Sequence, residues 1–312
     1  MNQTTNTILM VRPNGFRMNE QTAVNNYFQE DLDLKNAEIN QRAQQEFDDF
    51  VQKLSMVGVN VIVVKDEANV DRPDAVFPNN WVSFHANGNM ALYPMFAENR
   101  RVERREDILD ILEAEGFNIQ NVIDYTAAET EELFLEGTGS LILDRTNRKA
   151  YCALSPRADE DLLIEFCEDF EFTPIIFTAN QTVEGKRMPI YHTNVMMCIA
   201  EEFAVICLDT IDDAKEKKHV IKQLKQDGKE IITITENQMH QFAGNMLQVR
   251  GREDRKYLVM SKSAHDSLNE HQIKAIEKHC TILSADLETI ETCGGGSARC
   301  MMAEVFLPKV DS

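Results

Sequence analysis

The chain has 312 residues, 43% of them hydrophobic, and its 52 acidic against 32 basic residues give a formal net charge of −20. That hydrophobic share excludes a disordered chain, and the acidic balance excludes a nucleic-acid binder, which needs clustered Lys and Arg to displace counterions. No apolar run reaches the roughly 18 residues that span a bilayer, so no membrane association is expected.

The opening MNQTTNTILMVRPNGF lacks a basic stretch before its short apolar run, and it reads as a first strand rather than a leader. A helix over 37–57 and the β-rich run NVIVVKD over 60–66 follow. From residue 75 a pattern repeats: strand pairs at 75–95, 133–155, 189–210 and 241–261, turning through ANGN, DRTNRK, AEE and RGREDR. Helical patterns over 100–116, 159–169, 212–227 and 264–280 lie between and after them, each followed by a short β-rich run (NVIDY, TPIIF, EIITI, TILSA). A fifth pair begins in ETCGGGSARCMMAEVF (291–306) but lacks its second strand, which the N-terminal TILMVRP is placed to supply. The expected fold is one α/β domain over 1–312, a five-bladed pseudo-symmetric α/β propeller of ββαβ units. An ordinary alternating α/β arrangement without closure is the alternative.

Seven cysteines at scattered positions form no disulfide framework and no CxxC pair, which implies a reducing, cytoplasmic setting. The histidines show no HxxxH or HExxH spacing, so no metal is expected. GGGS lacks the Lys of a phosphate-binding loop, and no cofactor is implied.

The hairpins align on Asn80, Ser140, Asn194, Asn245 and Cys300, each a polar or reactive residue just before an apolar run. In a closed ring these positions converge. Cys300 is a candidate nucleophile, His192 in YHTN a proton carrier on the same strand face as Asn194, and Glu136 in FLEGTGS a group to orient or charge it. The glycines before Cys300 let backbone N–H groups approach an oxyanion. Each residue has a plainer account: a packed thiol, a hydrogen-bonded core histidine, a turn cap. Their complementarity at equivalent places in a repeat favours chemistry.

FPNNW, FLEGTGS, YHTNVMM, FAGNML and GGGSARCMMAEVF together resemble the guanidine-modifying, or pentein, superfamily, and within it the citrulline-utilisation hydrolase (citrulline ureidase) branch. The resemblance implies a Cys300 nucleophile, His192 as general acid/base and Glu136 as its carboxylate. It also implies that Arg157, ending LSPR, and Arg101, with Arg100 in NRRVE, hold a substrate carboxylate; a solvated helix start is the plainer account of NRRVERR. Where the superfamily's deiminases carry carboxylates in F-x-x-D, H-x-D and E-G-G-D, this chain has Asn80, Asn194 and GTGS. A guanidinium cation favours paired carboxylates, whereas an amide can both donate to and accept from a neutral ureido group.

The expected activity is therefore hydrolysis of L-citrulline to ornithine, carbon dioxide and ammonia through S-carbamoyl-cysteine. Asn80, Asn194, Asn245, Arg157 and Arg101 would bind the small amino-acid substrate. A deiminase or amidinotransferase on the same fold is one alternative, a non-catalytic propeller that only binds is another, and a homodimer is left open.

Overall fold

The computed structural model describes residues 2–67 and 69–310. Its strands fall into small separate sheets, and five of these share one plan. A short first strand pairs antiparallel with a second, and a third returns parallel to the second after a helix. The sheets are Val82–Phe84 with Asn89–Leu92 and Asn121–Asp124; Ile142–Asp144 with Lys149–Leu154 and Thr173–Thr178; and Met197–Ile199 with Phe203–Ile206 and Glu230–Thr233. The fourth joins Leu247–Arg250, Lys256–Ser261 and Thr281–Ala285. In the fifth, the N-terminal strand Thr7–Arg12 lies between Ala303–Glu304, antiparallel, and Asn60–Lys65, parallel. The N-terminal run thus supplies the strand that the last pair lacks. A parallel return needs a long crossover, and each unit provides one.

The crossover helices form because their apolar residues recur at helical spacing. In Asn36–Met56, Ile39, Ala43, Phe47, Phe50 and Leu54 make one buried face, packed with Ile8, Met10 and Met302. Burying a side chain such as Phe50 contributes about 1.5–3 kcal/mol. Glu160–Asp169 starts where Asp159 accepts from the N–H groups of Asp161 and Leu162, and Ala214–Gln226 starts on Asp213 in the same way.

Several expectations are corrected. The helix expected over 264–280 is two, Lys262–Ser267 and Glu270–Glu277, because Asn269 and Gln272 form a capping box that starts a new helix. The pattern over 100–116 divides into a 3₁₀ segment, Glu98–Glu103, and the helix Asp107–Ala114. The hairpin Asn180–Val183 with Lys186–Pro189 was not anticipated. Cys300 precedes a strand of only two residues, Ala303–Glu304.

The aligned polar residues sit not on the first strands but on tight turns before them. Pro78–Asn80, Gly137–Ser140 and Thr193–Val195 are single helical turns. Asn245 N–H closes on Phe242 O at 2.8 Å, and Cys300 N–H closes on Ser297 O at 3.0 Å. Strand alternation therefore does not set the directions of His192, which precedes a helical turn, and Asn194, which lies within it. Among the described residues no helix is long and apolar enough to cross a membrane.

Candidate functional site

The Cys300 turn is built by the segment before it. Helix Glu288–Gly294 ends on Gly295 in a left-handed conformation, φ 62°, where a β-carbon would come within 2.5 Å of Asn26 Nδ2. Ser297 Oγ then donates to buried Glu291 Oε1 at 2.5 Å, fixing the start of the turn. Cys300 is 2% exposed.

Two amides hold the thiol. Asn194 Nδ2 lies 3.3 Å and Asn245 Nδ2 3.2 Å from Cys300 Sγ. Asn245 Oδ1 accepts from Arg299 N–H at 3.0 Å, while Asn194 Oδ1, also buried, has no partner. The backbone N–H groups of Arg299 and Cys300 are thus committed to Asn245 and Ser297, so the donors observed at the sulfur are side-chain amides.

His192 and Cys300 line one narrow cavity together with Asp74, Asn80, Arg100 and Arg157. His192 Nε2 is 2.6 Å from Glu136 Oε2, and both side chains are buried. Glu136 Oε1 accepts from Phe96 N–H at 3.0 Å, and Arg157 Nη1 lies 3.4 Å from Oε2. Burial alone would raise the Glu136 pKa, but Arg157, His192 and Arg100 together hold it well below the usual carboxylate range. Burial pushes His192 down to about 4, prevailing over the neighbouring carboxylate that favours imidazolium. The resting pair is therefore carboxylate and neutral imidazole, with the proton on Nε2 and the lone pair on Nδ1. Glu136 favours imidazolium, but burial outweighs it in the resting site. Gly139 makes this packing feasible: a β-carbon there would sit 2.8 Å from His192 Nδ1 and 2.5 Å from Asn80 Nδ2.

The substrate-binding candidates divide. Arg157 enters the cavity, and its guanidinium also donates to Thr22 O at 2.9 Å and to Asn25 Oδ1, from the segment whose Thr22 and Asn26 line the cavity. Asn80 enters too, but its Oδ1 already accepts from Arg100 Nη1 at 2.9 Å. Arg101 turns away, donating to Met95 O at 3.1 Å and lying 3.4 Å from Glu129. Its neighbour Arg100 is buried instead, bidentate on Glu103 at 2.9 and 2.8 Å. Within a 3₁₀ turn adjacent residues diverge by about 120°, and the doublet alone does not say which one points inward.

Asp74 is the residue the sequence reading missed. It is buried, accepts from Asn19 Nδ2 at 2.7 Å, lies 3.7 Å from Arg100 Nε, and keeps Oδ1 without a partner. Its position six residues before Asn80, at the head of DAVFPNN, was the available signal. Among the described residues no group of three His, Cys, Asp or Glu side chains is arranged to hold a metal ion.

Among curated proteins none matches the chain in sequence. In structure the chain is similar to ArgZ, an arginine dihydrolase from the ornithine–ammonia cycle in cyanobacteria, at TM-score 0.75 and 16% identity, with 97% of this chain and 41% of that one covered. It thus spans under half of that protein. Against the N-terminal domain of ArgZ bound to substrate, the TM-score is 0.71 at 16% identity, covering 96% of this chain and 99% of that domain. A dimethylarginine dimethylaminohydrolase variant held as an adduct with S-methyl-L-thiocitrulline gives 0.65 at 13% identity, covering 96% and 98%. These likenesses show a shared α/β fold and do not single out the citrulline branch. Over residues 12–307 the sequence matches the family model described as N,N dimethylarginine dimethylhydrolase, eukaryotic, and the chain belongs to that family.

Proposed function

We propose that the protein is a cysteine hydrolase of a small amino acid whose side chain ends in a ureido or guanidino carbon, with L-citrulline as the preferred substrate. The observation that carries the citrulline reading is Asn194, which donates to Cys300 Sγ and keeps a buried, unpartnered Oδ1 beside it. A neutral ureido group offers both N–H donors and a carbonyl acceptor, and matches an amide better than it matches a carboxylate. On this reading the five sheets act as blades of a propeller, in one domain, whose axis carries the site.

Neutral His192 takes the Cys300 proton through Nδ1, and ionised Glu136 stabilises the imidazolium that results. The thiolate forms a C–S bond with the ureido carbon, and the amides of Asn194 and Asn245 receive the developing oxyanion. The bond from that carbon to the ornithine nitrogen breaks as His192 returns its proton to the leaving amine. Water, deprotonated by His192, then attacks the carbamoyl thioester. This frees Cys300 and gives carbamate, which decays to ammonia and carbon dioxide. Free Asp74 Oδ1 accepts the substrate ammonium group, and Arg157, exchanging its contacts with Thr22 and Asn25, takes the carboxylate.

A guanidino substrate is the second reading. The family description and the neighbours named above favour it, and both Asp74 and ionised Glu136 leave negative charge in the site. Incubation with citrulline, arginine and dimethylarginine, with products separated by chromatography, distinguishes the two. Ornithine from citrulline is expected; citrulline accumulating from arginine or dimethylarginine, with added citrulline unconsumed, overturns the first reading.

A further inference from the structure

We infer that a small monovalent anion of halide size binds in a second buried cavity beside the Cys300 turn, held by Arg145 and Gln248. That cavity shares no lining residue with the candidate catalytic cavity, although Arg299, which lines it, is the immediate neighbour of Cys300. The inference does not depend on the proposed reaction.

Arg145 is 1% and Gln248 3% exposed, yet Arg145 Nη1 and Gln248 Nε2 both lack a hydrogen-bond partner. Three of the acceptors around them are already engaged. Gln248 Oε1 accepts from Glu201 N–H at 2.9 Å, and Gln3 Oε1 accepts from Arg145 N–H at 2.7 Å. Glu304 Oε2 accepts from Arg299 Nη2 at 2.6 Å, and its Oε1 stands 4.0 Å from Arg145 Nε, beyond a hydrogen bond. What the cavity still presents is two free donors and the free Oε1 of Glu304.

Charge points the same way. Two buried guanidinium groups, Arg145 and Arg299, share the single carboxylate of Glu304. Burial lowers the Arg145 pKa, Glu304 opposes this, and Arg299 adds to the lowering. A buried cation without a full counter-charge is costly. Water filling the space would accept one or two hydrogen bonds and bring two donors, one of which Glu304 Oε1 could accept, but it would add no charge. An anion satisfies both free donors and completes the charge balance. The space takes about one water-sized sphere, which admits a halide and excludes sulfate or phosphate.

Crystals of the full chain grown in sodium bromide test this directly. An anomalous-difference peak between Arg145 Nη1 and Gln248 Nε2 is expected, and its absence from a well-ordered cavity overturns the inference. In solution, replacing gluconate by chloride or bromide at constant ionic strength should raise Tm by about 2–4 °C. Gln248→Glu retains the acceptor for Glu201 and sets a carboxylate opposite Arg145, so it folds without the anion and should lose the halide response. Arg145→Met should lose it as well. A halide response in Gln248→Glu equal to that of the wild type overturns the site, whatever becomes of Arg145→Met.

Discussion

Asn245 places its side-chain nitrogen 3.2 Å from the sulfur of Cys300 while donating to the main-chain oxygen of Asn194 at 3.0 Å. One amide thus joins the turns that carry the nucleophile and its other donor. Asn245→Ala removes a donor aimed at the reacting centre and unpairs the Arg299 N–H. Its kcat should fall about 10²–10³-fold, read as ornithine release, and a change under threefold would contradict the oxyanion role. Cys300→Ser should leave no detectable turnover while its circular dichroism stays that of the wild type.

Asn194→Asp tests the polarity of the site. A carboxylate 3.3 Å from the sulfur disfavours the thiolate and repels the ureido oxygen. Citrulline kcat/KM should fall about 10²-fold or more, in line with the loss of a preorganised donor. Equal or better citrulline turnover in this variant would refute the neutral-substrate reading.

Burial holds the His192 pKa down to about 4, below the ordinary 6.5 of a histidine, so its effect on pH dependence has a definite sign. Between those values the unfolded chain binds the extra proton. The contribution of this group is whole above 6.5 and lost as pH falls toward about 4, at most about 3 kcal/mol. Urea unfolding of the wild type and of His192→Gln should therefore show their stability difference shifting against the wild type over that window. A pH-independent difference would mean that the imidazole is not held neutral. His192→Ala should lower kcat about 10²–10⁴-fold.

Gly139→Ala adds one methyl group where His192 and Asn80 already lie within 2.5–2.8 Å of the new atom. The imidazole must move off Glu136 or the turn must shift. Activity should drop at least about 10²-fold, since small misplacements cost that much, with Tm lowered by only a few degrees. Unchanged kcat would show that the imidazole position is not critical.

Arg157→Lys keeps the charge but loses the planar fork. A rise in KM of about 10–100-fold with a smaller change in kcat is expected for a group that grips the substrate carboxylate. Arg101→Lys, outside the cavity, should change neither. If Arg101→Lys matched the Arg157→Lys defect, the inward arginine would have been misassigned.

Hairpins and crossover helices were legible because their signals are local. Alternating apolar runs around ANGN or RGREDR specify a strand pair, and the spacing of Ile39, Ala43, Phe47, Phe50 and Leu54 specifies one helix face. The meeting of Cys300, His192 and their amides was legible because a repeat places equivalent residues at equivalent points. What failed depended on contacts remote in sequence or on single turns. The break at Asn269 is made by a cap inside an otherwise periodic stretch. The choice of Arg100 over Arg101 rests on Glu103, Asn80 and Asp74, which receive the inward guanidinium. Asp74 was passed over because nothing in a short motif distinguishes a buried acid from a solvated one. The state of His192 is a contest between burial and one carboxylate, which only three-dimensional packing decides.

The register that sets Ile8 against Glu304 and Leu9 against Ala303 has a bearing on folding. Nearly 300 residues of chain lie between these partners, so the sheet beside the nucleophile closes only when two segments very remote in sequence have met, which is a slow kind of contact to form. The Cys300 turn therefore depends for its backing on a strand that is its neighbour in space and remote from it along the chain.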